Sequence, residues 1–309
     1  MKIIFFTGKG GVGKSTISAA AAWQLSHNHR VLIVSLDPAH NLGDVFNVSL
    51  NDKKHKYSDT LFLQEIDLQK LSRDYLKREI DVLSGTYRYL QTLNLDNYFS
   101  VLKYSPGIEE YALLTSIETI IRQESAFDFI LFDTPPTGLT LRFLALPRVT
   151  ITWIERLIQI RRMILEKRYT IHRLRGNLDS AETILSYRED DDDALRRLKK
   201  LNENYQRLNI MLQGDTCSII LVCNPDLLSL KESQRLMSGL DDLKLPLRAI
   251  VDNKVTEESS DMAEYVEKQL RNRTAGIPVQ RIRFSQALTE KRNDRLFDIE
   301  EDLTHLVSP

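Results

Sequence analysis

Eleven consecutive residues hold the densest chemistry in the chain: Phe6-Thr7-Gly8-Lys9-Gly10-Gly11-Val12-Gly13-Lys14-Ser15-Thr16. Gly8, Gly13, Lys14 and Ser15 meet the spacing G-x-x-x-x-G-K-[ST] of a phosphate-binding loop. Four of the twelve glycines fall within six positions, where the backbone needs conformations that other residues resist. Successive N–H groups turned inward there form a concave nest for anionic oxygens. A helix after the loop would add the positive end of its dipole. Lys14 would reach the β- and γ-phosphates, and the Ser15 hydroxyl would ligate Mg²⁺. Lys9 is a second lysine inside the loop, either a solvated cation or a second phosphate ligand.

The loop needs a strand before it and a helix after it. Ile3 to Phe6 is apolar, and Ile17-Ser18-Ala19-Ala20-Ala21-Ala22-Trp23 reads as helix. Arg30 to Leu36 is a second apolar run, of the kind found in parallel strands buried on both faces. It ends in the turn-rich stretch Asp37 to Asp44, at the sheet edge where ligands of open α/β sheets bind. Leu61 to Asp67 reads as a further strand. Phe127 to Phe132 is another, closed by Asp133, which would hold Mg²⁺ directly or through water.

Between these strands the period is helical. Leu71, Tyr75, Leu76 and Ile80 share one face, a later run passes through Leu113, Ile117 and Ile120, and Ser105-Pro106-Gly107 breaks the two apart. From Arg148 to Gly214 the chain reads as arginine-rich helix. Trp153, Ile154, Leu157, Ile158, Ile164 and Leu165 form one face, interrupted by Arg161 and Arg168. A second amphipathic helix runs through Leu195, Leu198, Leu201, Tyr205, Leu208 and Leu212, and the acids Glu189 to Asp193 before it read as a solvated loop. Either helix could pack on the sheet or present a partner surface. Strands at Cys217–Cys223, Leu247–Val251 and Ile277–Phe284, with helices at 229–240, 261–272 and 296–306, complete an α/β chain.

Bulk properties narrow the classes. With a formal net charge of −1, nothing global argues for nucleic acid or an acidic membrane as a partner, and nucleic acid is not expected. No apolar stretch approaches the length of a membrane span. Two cysteines suit a reducing compartment, and the early strand leaves no room for a signal peptide, so a cytoplasmic location is expected.

The loop Gly8-Lys-Gly-Gly-Val-Gly-Lys-Ser-Thr16 resembles the deviant, signature-lysine form of the nucleotide-dimerised ATPases. Asp37-Pro-Ala-His-Asn-Leu-Gly-Asp44 and Asp133-Thr-Pro-Pro-Thr-Gly-Leu-Thr-Leu-Arg-Phe-Leu144 resemble the two switches of the ArsA/Get family within that group. Pro106-Gly-Ile-Glu-Glu110, Glu65-Ile-Asp67 and Leu228-Ser-Leu-Lys-Glu232 are similar to it as well.

The resemblance implies a P-loop NTPase with a mostly parallel central sheet flanked by helices. A helical subdomain from about 68–125 and 148–214 would be inserted in one domain spanning 1–309. It implies ATP and Mg²⁺ as ligands, and a cradle made by Gly8, Lys9, Gly10, Gly11, Val12, Gly13, Lys14, Ser15 and Thr16. Asp37 would orient the attacking water and, with Ser15 and Asp133, hold Mg²⁺; Asp133 would also sense γ-phosphate, and Asn253 would bond the adenine edge. The Pro278–Ser285 segment would close over the base. Lys9 would reach phosphates held by the other subunit of a homodimer, since the chain has a single loop. The implied role is a switch acting on a hydrophobic or membrane-protein client through 148–214. Alternatives are the ATPase subunit of an anion or metalloid efflux system, or a partition-type ATPase positioning cargo on DNA or membrane.

The chain departs from the family in places. Cys217 and Cys223 lie six apart on one strand and read as core, which argues against arsenite gating through thiolates. No Cys-x-x-Cys zinc clamp is present, and Met163 and Met211 are the only methionines from 148 to 214. His40 reads as a structural hydrogen-bonder.

Overall fold

A computed structural model describes residues 1–38, 41–86, 105–175, 187–274, 276–284, 297 and 299–307, without the side chains of 41, 79–86 and 175. His40 and Ser285 lie outside the described residues. The strands are β1 (Lys2–Thr7), β2 (Val31–Ser35), β3 (His55–Lys56), β4 (Leu61–Glu65), β5 (Phe129–Asp133), β6 (Cys217–Cys223), β7 (Leu247–Val255) and β8 (Val279–Arg283). They form one sheet in the order β3-β4-β2-β5-β1-β6-β7-β8. Every pairing is parallel except β3 with β4. The reason lies in composition: β2 and β5 are buried at every position, as strands covered by helices on both faces must be.

The helices are α1 (Lys14–Ser26), α2 (Asn41–Phe46), α3 (Leu68–Thr86), α4 (Ile108–Gln123), α5 (Thr137–Arg175), α6 (Asp193–Gln213), α7 (Leu227–Asp242), α8 (Ser260–Arg271) and α9 (Thr304–Val307). The chain divides into two compact units, one of 1–144 with 212–309 and one of 145–211.

In the first unit, β1 lies between β5 and β6, so the chain leaves β1 toward strands on both sides. Such a reversal opens a crevice at the carboxyl edge, where ligands bind. Ala19 to Ala22, all fully buried, bring α1 close against the sheet. α3 and α4 pack together, with Tyr75 and Tyr111 stacked at 6.3 Å. Three details differ from the sequence reading. Residues 41–46 of the turn-rich stretch are helical, and the Gly43 N–H donates to buried Glu65 Oε1 at 2.8 Å. β7 continues through Asp252-Asn253-Lys254 rather than ending at Val251.

Among the described residues of the expected helix at 296–306, only Thr304 to Leu306 are helical. Upstream, Gln24 captures the backbone instead: its Nε2 donates to Glu301 O at 2.9 Å and its Oε1 accepts from Leu303 N at 2.7 Å. Phe297 fills a core site against Trp23 and Phe46.

In the second unit, the expected apolar face of α5 splits. Ile154, Ile158 and Leu165 are buried with Leu195, and Leu198 and Tyr205 pack against them. Trp153 is 66 % exposed, and Val149, Leu157, Ile160 and Ile164 are exposed with it. The acid run is not merely solvated. Asp192 is buried and takes Arg161 in a fork, Nε to Oδ1 at 3.0 Å and Nη2 to Oδ2 at 2.6 Å. Its Oδ1 also accepts from Leu195 N at 2.7 Å, capping α6. An arginine inside an apolar stripe thus recruits one acid from the run. Removing that acid strands a half-buried guanidinium and uncaps a helix. Asp192→Ala is expected to cost about 2 kcal/mol, read as a melting temperature lower by about 4–8 °C.

Candidate active site

The carboxyl ends of β1, β2, β5, β6 and β7 meet at the phosphate loop. Gly13 caps α1 in the left-handed region at φ 93°, and Gly11, within the loop, also takes a positive φ, 81°. A Cβ on Gly8 would sit 2.1 Å from Val222 O of β6, so only glycine fits that approach. Gly10, Gly11, Gly13, Lys14, Ser15, Thr16, Asp37, Val45 and Pro136 line a cleft of about 370 Å³. Val12 is buried beneath it.

Most sequence-assigned residues converge here. Lys14 is buried, and burial lowers its pKa against the pull of Asp133 and Asp37. Its Nζ donates to Lys9 O at 3.3 Å, so the loop curls around its own lysine. Lys9 serves the loop through its main chain, and its ammonium forms no ion pair among the described residues. Asp37, at the end of β2, is buried at the cleft wall.

Ser15 Oγ donates to Asp133 Oδ2 at 2.6 Å. Asp133 Oδ1 is buried with no hydrogen-bond partner, and burial pushes its carboxyl up to about 7. A hydroxyl beside a carboxylate with an unsatisfied oxygen suits a hard, oxygen-preferring cation. Such a cation would also favour the ionised carboxylate. Of the Mg²⁺ set named from the sequence, Ser15 and Asp133 therefore fit in their chemistry, and Asp37 lines the same cleft. Just beyond Asp133, Thr134 Oγ1 donates to Phe6 O at 2.8 Å and Thr140 Oγ1 to Pro135 O at 2.7 Å. The first bond ties the segment after β5 to β1, and the second closes the turn into α5.

Asn253 sits where its Nδ2 donates to Val12 O at 2.8 Å; its amide serves the loop and does not line the cleft. Two further loop contacts escaped the sequence reading. Lys254 Nζ donates to Gly11 O at 2.8 Å. Asn224, with its amide turned to satisfy both ends, donates to Val12 O at 3.2 Å. Asn224 ends a strand at the same sheet edge, a weak signal. Lys254 had none, because a lysine in a strand normally points to solvent.

A strand, a glycine loop and a helix at the switch point of a parallel sheet, with a carboxylate facing the loop serine, define a P-loop NTPase. The family model for anion-transporting ATPases matches residues 1–286, and the chain belongs to that family, the ArsA ATPases. A protein of Aquifex aeolicus described as a candidate arsenical pump-driving ATPase, the second of two, is 32 % identical over 261 residues, covering 84 % of this chain and 82 % of its own. The first of the two is 33 % identical over 284 residues, covering 87 % and 68 %. An ATPase get3 of Pyrenophora tritici-repentis is 29 % identical over 269 residues, covering 84 % and 76 %.

Cys217 and Cys223 are both fully buried. Burial pushes Cys217 up to about 12 and raises Cys223 well above an ordinary thiol. Among the described residues no helix is long and apolar enough to cross a membrane.

Proposed function

We propose that this protein is a homodimeric ATP hydrolase whose closure drives binding and release of a hydrophobic or membrane-protein client. Phosphoryl transfer needs positioning and charge neutralisation more than covalent help. The loop amides and Lys14 hold the β- and γ-phosphates. Asp37 orients the attacking water. Ser15 and Asp133 hold Mg²⁺, which supplies charge neutralisation on the phosphate oxygens. Lys9, spoken for in its own subunit only through its carbonyl, extends its ammonium to the partner's phosphates.

One observation carries the client reading: the exposed stripe Val149, Trp153, Leu157, Ile160 and Ile164 on α5. Its spacing of three and four residues is a continuous helical face, larger in character than singly scattered surface apolars. Helices of this kind take apolar partners along i, i+4, i+7 rows.

Asp37→Asn tests both parts. Phosphate release is expected to fall by about 10²–10⁴-fold while ATP binding persists. With ATP bound, the trapped variant should co-purify proteins bearing long apolar segments. Absence of such enrichment would sink the client reading, and near-normal release would remove Asp37 from its role.

A second reading, the ATPase subunit of an anion or metalloid efflux system, is favoured by the names of two relatives. It expects oxyanions to stimulate hydrolysis. The buried, hard-to-ionise thiols argue against arsenite acting through them.

A further inference from the structure

Asn253 and Lys254 are neighbours on β7, and neighbours on a strand point to opposite faces. Here both reach the same loop, at Val12 O and Gly11 O, each at 2.8 Å. The backbone cancels the alternation. Register with β8 shifts between Asp252 and Val255, and Lys254 takes φ 60°. That left-handed conformation is costly for a residue other than glycine, asparagine or aspartate, and Lys254 is exposed, so core packing does not require it. Bulges re-aim side chains, and backbone held off its minima concentrates at functional sites.

The two carbonyls matter through their peptide units. A trans peptide sets its C=O and N–H antiparallel, and no described peptide is cis. With the Gly11 and Val12 carbonyls drawn toward β7, the N–H groups of Val12 and Gly13 point away from β7. The cleft is lined by Gly10, Gly11, Gly13 and Lys14 and by no residue of β7. Those N–H groups are the donors a phosphate nest needs.

We propose that Lys254 is a positioning residue of this site: its ammonium holds the Gly11 carbonyl outward and so presets the amide cradle for a polyphosphate. The inference rests on the loop being a nucleotide phosphate site. Without the tether, the Gly11–Val12 peptide regains the freedom that glycine allows, and the ligand must order it on binding, at a cost in affinity.

The test is Lys254→Gly in the full chain, titrated calorimetrically with Mg·ATP and with magnesium inorganic triphosphate, and melted without ligand. Both dissociation constants should rise about tenfold. The melting temperature should stay within about 1 °C of wild type or exceed it, because glycine takes a positive φ without a steric penalty. Unchanged affinity for both ligands would overturn the inference. So would weaker binding accompanied by a clear loss of thermal stability, since Lys254 would then be a brace for the fold. Wild-type protein that binds neither ligand would overturn the nucleotide reading itself, a distinct result.

Discussion

Lys9→Ala is expected to lower ATP turnover by about 10³-fold or more, while ATP still binds with near wild-type affinity. In the proposed dimer the two effects separate because Lys9 works twice. Its carbonyl accepts from Lys14 Nζ, and alanine keeps that carbonyl, so the cradle of its own subunit stays formed. Only the ammonium is lost. A cation delivered in trans to a transferring phosphoryl group is worth about 10³–10⁵ in rate where arginine plays the part. Phosphate release measured beside direct ATP titration reads the split. A mixture adds an internal check. Lys9→Ala subunits keep a working loop but offer no cation, whereas Lys14→Ala subunits offer the cation but hold phosphate poorly. Mixed dimers complete one site, so activity should reappear on mixing. Near-normal turnover by Lys9→Ala alone would end the trans-lysine model.

The parts of the fold that the sequence made legible are those governed by local periodicity. Val31–Val34 and Phe129–Phe132 are uninterrupted apolar runs, and the strands they form are buried end to end. The phosphate loop was legible because its glycines answer a local backbone demand. What was hidden depends on partners distant in the chain. Glu189 to Asp193 looks like one solvated acid run. Asp192 is singled out only because Arg161 lies 31 residues away and needs a counter-charge. The α5 stripe read as one face, yet Ile158 meets Leu195 while Trp153 meets solvent; a wheel gives angles, not neighbours. Residues 299–303 satisfy a helical pattern, but Gln24, some 277 residues distant, takes their backbone groups. Lys254 was hidden for a different reason. Its reach to Gly11 depends on a bulge and a positive φ that no composition announces.

Gly8→Ala is expected to be the most damaging single-atom change in the chain, and Gly11→Ala is its control. Both residues sit in the same loop, so loss of phosphate chemistry alone would treat them alike. Their surroundings differ. At Gly8 a Cβ would lie 2.1 Å from Val222 O and 3.1 Å from Val222 C, backbone atoms of a central strand that cannot step aside. β6 pairs with β1 on one side and β7 on the other, so relief requires moving either the loop or the sheet. At Gly11 nothing lies within 4 Å of the added atom, and only the positive φ of 81° opposes it. That penalty is about 1–2 kcal/mol, or roughly 2–8 °C in melting temperature. Gly8→Ala should instead melt lower by more than about 10 °C or fail to accumulate as folded protein. Equal melting temperatures for the two variants would mean that the loop does not rest on β6 as described. The contrast isolates packing from catalysis: Gly8 lets the loop lie against Val222, whereas Gly11 lets the peptide that Lys254 holds adopt its turn.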